Sequence, residues 1–236
     1  MIEQTKIAVL GGGSWATAIV KILSENLNTI GWYMRNKQAI EHIKENEHNP
    51  NYLQSAELNA EQLDLSDNID EIVTNYKVLI FAIPSVFLTS ELKKLNVSLQ
   101  DKIIFSAIKG IVPETGLIIG EHFNKIFNIP FENIGVITGP CHAEEVARER
   151  LSYLTVACPD TEKAEMFAPY LRTRYIRVNT SDDVFGAELA AVLKNVYAVG
   201  AGLAHGLGYG DNFISVLISN AAIEMKRFID SVHDID

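Results

Sequence analysis

Residues 7–16 read Ile7-Ala8-Val9-Leu10-Gly11-Gly12-Gly13-Ser14-Trp15-Ala16. A short apolar run feeds straight into Gly11-x-Gly13-x-x-Ala16, and a helix-compatible stretch follows. Strand, glycine turn and helix in that order are what a dinucleotide-binding βα turn requires. Gly11 permits the tight turn, Gly13 lets the backbone approach a pyrophosphate, and the small Ala16 lets the helix pack close on the strand. The helix N-terminus then offers free N–H groups and a partial positive charge to phosphates. The stretch therefore predicts a bound NAD or NADP rather than a plain connection.

Outward from this turn, short apolar runs alternate with helical stretches. Strands are expected at Lys6–Leu10, Thr29–Met34, Val78–Ile83, Lys102–Ser106, Ile134–Thr138, Leu154–Cys158 and Tyr175–Val178. Helices are expected at Ser14–Asn26, Gln38–Asn46, Ile69–Asn75, Ser85–Leu95, Leu117–Phe127, His142–Arg148 and Glu162–Tyr170. Such alternation predicts an α/β fold, a Rossmann-type, largely parallel sheet with helices on both faces. Continuously apolar strands such as Val78–Ile83 suit a sheet buried on both sides. The character changes near residue 180. Thr180-Ser181-Asp182-Asp183 is a polar entry rich in N-cap residues, and two helices follow, Val184–Leu203 and Phe213–Phe228, around the glycine-rich 206–210. Both are apolar nearly all round and are expected to be buried, yet two such helices cannot bury each other completely. The division expected is a dinucleotide-binding domain over 1–180 and the start of an incomplete all-α domain, for substrate and dimer contacts, over 181–236.

The bulk numbers bound the function. The chain has 236 residues, 30 acidic and 20 basic, for a net charge of −10. A nucleic-acid binder needs a basic face, so that class is set aside. A phosphorylated ligand stays compatible, because a few lysines and helix N-termini can hold one locally. Two cysteines, Cys141 and Cys158, are no disulfide framework and point to a reducing cytoplasm. The uninterrupted apolar run after Lys6 is too short for a signal peptide. No stretch of about 18 apolar residues runs free of charge, so no membrane span is expected. Around Ala187–Leu203 that run is broken by Glu188 and Lys194.

Several residues point to chemistry. The second strand ends in Arg35 rather than in an acid that would hold ribose hydroxyls, which favours a 2′-phosphate and so NADP, or both cofactors. Pro84-Ser85, Lys109-Gly110 and Gly139-Pro140-Cys141-His142 follow the carboxyl ends of predicted strands, the edge where open α/β sheets bind ligands. Lys109 brings a charge for a phosphate or a carbonyl oxygen. Lys194 stands among Ala190, Ala191, Tyr197 and Ala198 at helical spacing and is the only charge from Leu189 to Ala204. It is expected to be buried, or to face a cavity of small side chains, with a lowered pKa suited to proton transfer. Cys141-His142 is set aside as a nucleophile–base pair, because adjacent side chains point apart. His142-x-x-Glu145 lacks a third ligand, so no metal site is read. His42, His48, His205 and His233 are scattered and carry no reading.

Taken together, these motifs resemble the soluble, bacterial-type NAD(P)-dependent glycerol-3-phosphate dehydrogenases. The likeness rests on 11–18, on Asn49-Pro50-Asn51-Tyr52-Leu53, on Lys109-Gly110-Ile111, on 139–147, and on 188–195 followed by 206–212. It implies reversible reduction of dihydroxyacetone phosphate to sn-glycerol 3-phosphate, a small phosphorylated three-carbon substrate, in support of phospholipid synthesis. It implies that Ser14, Trp15, Arg35, Tyr52 and Ala143 contact the cofactor, and that Lys109 touches cofactor and substrate. Gly139 and Cys141 would line the substrate site, and Lys194 would be the catalytic acid/base. A homodimer is implied for the full-length protein. Two departures stand out. The family usually has Ser or Thr where this chain has Cys141, and a thiol is a poorer hydrogen-bond donor. The family also continues further, with an Asp and a Ser-Arg-Asn-type cluster that bind substrate phosphate and cofactor, so a truncated form is expected. Two alternatives stay open: another 2-ketoacid or β-hydroxyacid reductase of the same plan, and an inactive cofactor-binding fragment.

Overall fold

Strand β1 (Ile7–Leu10) sits in the middle of an eight-stranded sheet, because every one of its residues is apolar and both its faces need cover. Ile7 and Val9 point to one face and Ala8 and Leu10 to the other, each pair joining a separate hydrophobic cluster. The computed structural model describes residues 5–232; His233 and the end of the 181–236 region lie outside the described residues. The sheet runs in the order β3-β2-β1-β4-β5-β6-β7-β8. Its members are β2 (Ile30–Tyr33), β3 (Leu63–Ser66), β4 (Val78–Phe81), β5 (Ile103–Ser106), β6 (Ile134–Thr138), β7 (Ser152–Ala157) and β8 (Ile176–Ser181). The first six strands are parallel, in the dinucleotide-fold order 3-2-1-4-5-6. β7 turns back antiparallel to β6, and β8 follows β7 in parallel.

Helices cover both faces. α1 (Ser14–Ser24), α2 (Lys37–Asn46) and α7 (Thr161–Leu171) bury Ile19, Ile43 and Phe167 in one cluster. Phe167 stacks on Phe105 of β5 at 3.9 Å between ring centroids, and each such buried ring contributes roughly 1.5–3 kcal/mol. α3 (Ile69–Asn75), α4 (Ser85–Leu92) and α5 (Ile119–Phe127) bury Val73, Leu88 and Phe123 in the other. The short α6 (Ala143–Ala147) packs on α1.

The chain then leaves β8 for α8 (Val184–Gly206) and α9 (Asp211–Val232). Asp183 caps α8 by accepting the Gly186 N–H at 2.6 Å. The expectation that both helices are buried is corrected. Only Val184, Gly186, Glu188 and Ala204 of α8, and Ala221 and Ile229 of α9, are buried. The first turns of α8 pack on β6 and α5, and α8 and α9 pack on each other, which leaves their remaining apolar faces to solvent. By length and composition α8 could cross a membrane. One of its two charges, Glu188, is placed instead by a contact within the fold, described below. β3 was not anticipated from sequence. Leu63-Asp64-Leu65-Ser66 has only two apolar residues, as befits an edge strand with one neighbour.

Candidate active site

The glycine turn has the geometry its sequence requires. Gly11 adopts φ +133°, and a Cβ there would collide with the Ala82 carbonyl oxygen at the end of β4. Its N–H donates to the Tyr33 carbonyl at 3.0 Å, and its carbonyl accepts the Trp32 indole N–H at 2.7 Å. Gly13 is the N-cap of α1 and has no side chain to cap the first turn. A Cβ on Gly13 would meet nothing within 4 Å, so the approach to those N–H groups is open. The buried Asn49 braces the turn. Its amide donates to the Gly12 carbonyl at 3.2 Å and to the Thr17 hydroxyl at 2.9 Å. Its side-chain oxygen accepts the Asn51 and Tyr52 N–H groups at 3.0 and 3.3 Å. That arrangement holds Tyr52 at the rim of the turn.

Beside the turn lies a cavity of about 530 Å³ between the ends of β1, β2 and β4, bounded by Gly11, Gly13, Arg35, Tyr52, Phe87 and Glu91 among others. It lies where the strand order reverses, between β1 and β4, the usual position for a ligand in an open α/β sheet. Arg35 stands at the rim, over the Phe87 ring at 5.6 Å. Its guanidinium is already engaged, Nη1 donating to Glu91 Oε1 at 3.2 Å. Glu91 is only 2% exposed. It also accepts the Tyr33 hydroxyl at 2.8 Å and the Lys94 ammonium at 2.9 Å. Burial alone would raise its carboxyl. The hydrogen bonds from Lys94 and Tyr33, with the charges of Lys94 and Arg35, outweigh that and hold it below the usual carboxylate range.

A second cavity of about 270 Å³ continues from Gly13, Ser14 and Trp15 past Pro84 to Lys109. The buried indole N–H of Trp15 has no hydrogen-bond partner, a free donor at that cavity. The uncapped first turn and this donor fit a dinucleotide lying across the turn. Lys109 is 6.0 Å from the Trp15 ring centroid. Burial, then the charge of Lys194, pull its ammonium below the usual lysine range, against an opposing influence from Cys141. Three separate loops are thereby brought to one edge. Gly110, at φ +124°, packs against Ser85, and Gly139, at φ +131°, leaves no room for a Cβ beside the Tyr153 carbonyl. Cys141 is buried while His142 faces solvent. Burial pushes the Cys141 thiol up, which disfavours a thiolate. Ser14 and Tyr52 also share a third hollow with Glu144. Ala143 is buried as the first residue of α6.

Lys194 calls for a correction. It is exposed on α8, neither buried nor enclosed by its small neighbours. Its apolar setting in sequence suggested cover that α8 lacks beyond its first turns. Its charge is felt by Lys109, whose ammonium it helps to lower. Two elements of the site escaped sequence reasoning, Phe87 and Glu91. Phe87 follows Pro84-Ser85 and could have been found as an apolar residue in the first turn of a helix facing the ligand edge. Glu91 gave no signal, because its partners Tyr33 and Arg35 lie 58 and 56 residues away along the chain.

Comparison with known proteins shows the family. Residues 6–164 match the family described as NAD-dependent glycerol-3-phosphate dehydrogenase N-terminus, and residues 183–234 match its C-terminus counterpart. A glycerol-3-phosphate dehydrogenase [NAD(P)+] of Pseudomonas paraeruginosa is 38% identical over 228 residues, 97% of this chain and 66% of that protein. One from Macrococcus caseolyticus is 32% identical, over 94% of this chain and 67% of its own length. The chain thus spans about two thirds of the length of these relatives. The solved structure of DsGPDH of Dunaliella salina superposes with a TM-score of 0.88 at 26% identity, covering 98% of this chain and 47% of that one. The chain belongs to the NAD-dependent glycerol-3-phosphate dehydrogenase family.

Proposed function

We propose that this chain binds NAD or NADP across the glycine turn and serves hydride transfer between that cofactor and dihydroxyacetone phosphate, giving sn-glycerol 3-phosphate for phospholipid synthesis. The observation that supports the reading is the meeting of the uncapped α1 N-terminus, Trp15 and Lys109 around one cavity at the sheet edge, with Lys109 also feeling the charge of Lys194. The bound nicotinamide would supply or accept the hydride. The α1 N-terminus, from Gly13 through Ser14 and Trp15, would hold the pyrophosphate, with Arg35 and Tyr52 toward the adenosine end and Ala143 beside α1. Lys109 would meet both cofactor and substrate, and Gly139 and Cys141 would wall the substrate side through the backbone. Lys194 would donate a proton to the ketone oxygen and take it back in the reverse direction. Residues 1–180 form the dinucleotide-binding part on this reading, and 181–236 the helical part that brings Lys194. A homodimer and a cytoplasmic setting belong to the same reading, supported by the apolar faces of α8 and α9 and by two buried free thiols.

The test is NADH oxidation driven by dihydroxyacetone phosphate. Lys194→Ala should lower kcat by about 10²–10⁴ while leaving the NADH Kd within a factor of about two. Equal losses in both would remove Lys194 from the proton-transfer role. One observation, the exposure of Lys194, favours a second reading in which the chain binds cofactor without turning over. Tight NADH binding with no oxidation by any ketone would select it. Turnover of 2-ketoacids instead of the phosphorylated ketone would select a reductase of different specificity.

A further inference from the structure

The adenosine end of the larger cavity contains a buried charge that a dinucleotide turn does not need. Glu91 lines that cavity, yet its carboxylate is turned onto three donors, Tyr33, Arg35 and Lys94. Arg35, the one residue whose type invites a 2′-phosphate, is 59% exposed, lies over the Phe87 ring and is paired with Glu91. The other cation near the β2 terminus, Lys37, is paired with Asp67 at 3.1 Å. A phosphate arriving at Arg35 must share the guanidinium with a buried carboxylate or pull it away. Sharing sets like charges side by side, and separation leaves Glu91 short of a partner in a site poorly reached by water. A ribose carrying a free 2′-hydroxyl meets neither cost. Arg35 has five N–H donors, so a 2′-phosphate is weakened rather than shut out.

We propose that Glu91 is a cofactor-specificity residue of this chain: by engaging Arg35 from beneath, it biases the adenosine end toward a 2′-hydroxyl and so toward NAD(H) over NADP(H). The proposal rests on the dinucleotide reading of the cavity. It assigns a role opposed to the one Arg35 suggests from sequence, and Glu91 does so without touching the cofactor's reacting atoms.

The adenosine half can be tested alone, without turnover. Titration calorimetry with 5′-AMP and with 2′,5′-ADP gives the ratio of the two dissociation constants for the wild-type chain and for Glu91→Gln. Glu91→Gln keeps the shape and removes the charge. It should shift the ratio about tenfold in favour of 2′,5′-ADP. Glu91→Met, which replaces the ion with an apolar side chain of similar length, should shift it the same way and serves if Glu91→Gln does not fold. An unchanged ratio in a folded variant, or a shift toward 5′-AMP, overturns the proposal. If neither nucleotide binds the wild-type chain, the dinucleotide reading itself fails and the proposal falls with it. Binding of both by wild type with no change on substitution leaves that reading standing and removes only Glu91.

Discussion

Gly11 and Gly13 stand two residues apart and are glycine for opposite reasons. At Gly11 the backbone is left-handed and the Ala82 carbonyl occupies the space of a side chain. Gly11→Ala therefore strains the fold itself, and we expect a loss of about 2–4 kcal/mol in urea unfolding. At Gly13 nothing lies within 4 Å, the open space that the proposed cofactor would use. Gly13→Ala should unfold within about 1 kcal/mol of wild type, yet bind NADH at least tenfold more weakly. If the two variants lost stability equally, the open space at Gly13 would have a structural use instead. Both glycines were legible in sequence, since their spacing sets their roles. Glu91 was not, because a carboxylate's burial depends on partners that only the folded sheet brings near it.

Among the elements, the junction of α8 with α5 encloses a carboxyl without a cationic partner among the described residues. Glu188 is 4% exposed, and its Oε2 accepts the Gly120 N–H at 3.0 Å in the first turn of α5. Its other oxygen has no partner. Burial pushes the carboxyl up to about 7, against the hydrogen bonds from Gly120 and Ile119, and the charge of Glu121 adds to the rise. The folded chain thus holds this proton more tightly than the unfolded chain. Stability should fall as pH rises from the ordinary glutamate value of about 4.3 and level off above the raised value, by at most about 3 kcal/mol. Glu188→Gln should flatten that part of the curve, so the variant matches wild type near pH 4 and exceeds it near pH 8 in urea midpoint. Parallel curves for the two proteins would rule Glu188 out as the titrating group. Elements were readable where pattern was strong. The continuous apolar runs of β1 and β4 and the alternation with helices sufficed, whereas β3 offered two leucines and an edge position. For α8, the apolar sequence showed what it could bury but not whether anything lies on top of it.

For the whole molecule, that uncovered surface is the dominant physical fact. Val196, Val199 and Leu203 are each 64% exposed, and Leu207 is 77% exposed. The first three fall on one stripe at helical spacing, and an apolar stripe in water seeks cover. We expect sedimentation velocity to show self-association that grows with concentration. The double variant Val199→Lys, Leu203→Lys should abolish it with little effect on the melting temperature. A sedimentation coefficient indifferent to concentration and to the double variant would mean the stripe is tolerated bare.

The reversal of β7 against β6 has a consequence for where Lys194 ends up. With β7 and β8 running opposite to the first six strands, the chain comes off β8 at the end of the sheet remote from the glycine turn. α8 then packs along β6 and past the start of α5, where Glu188 accepts the Gly120 N–H. Lys194 comes ten residues after Val184, a rise of about 15 Å at 1.5 Å per residue. Had β7 and β8 kept the common polarity, the same helix would start at the sheet edge that holds the turn and carry its lysine away from that edge. A single change of strand direction therefore acts as a ruler, and inserting or deleting one helical turn between Val184 and Lys194 would overshoot or fall short of its mark.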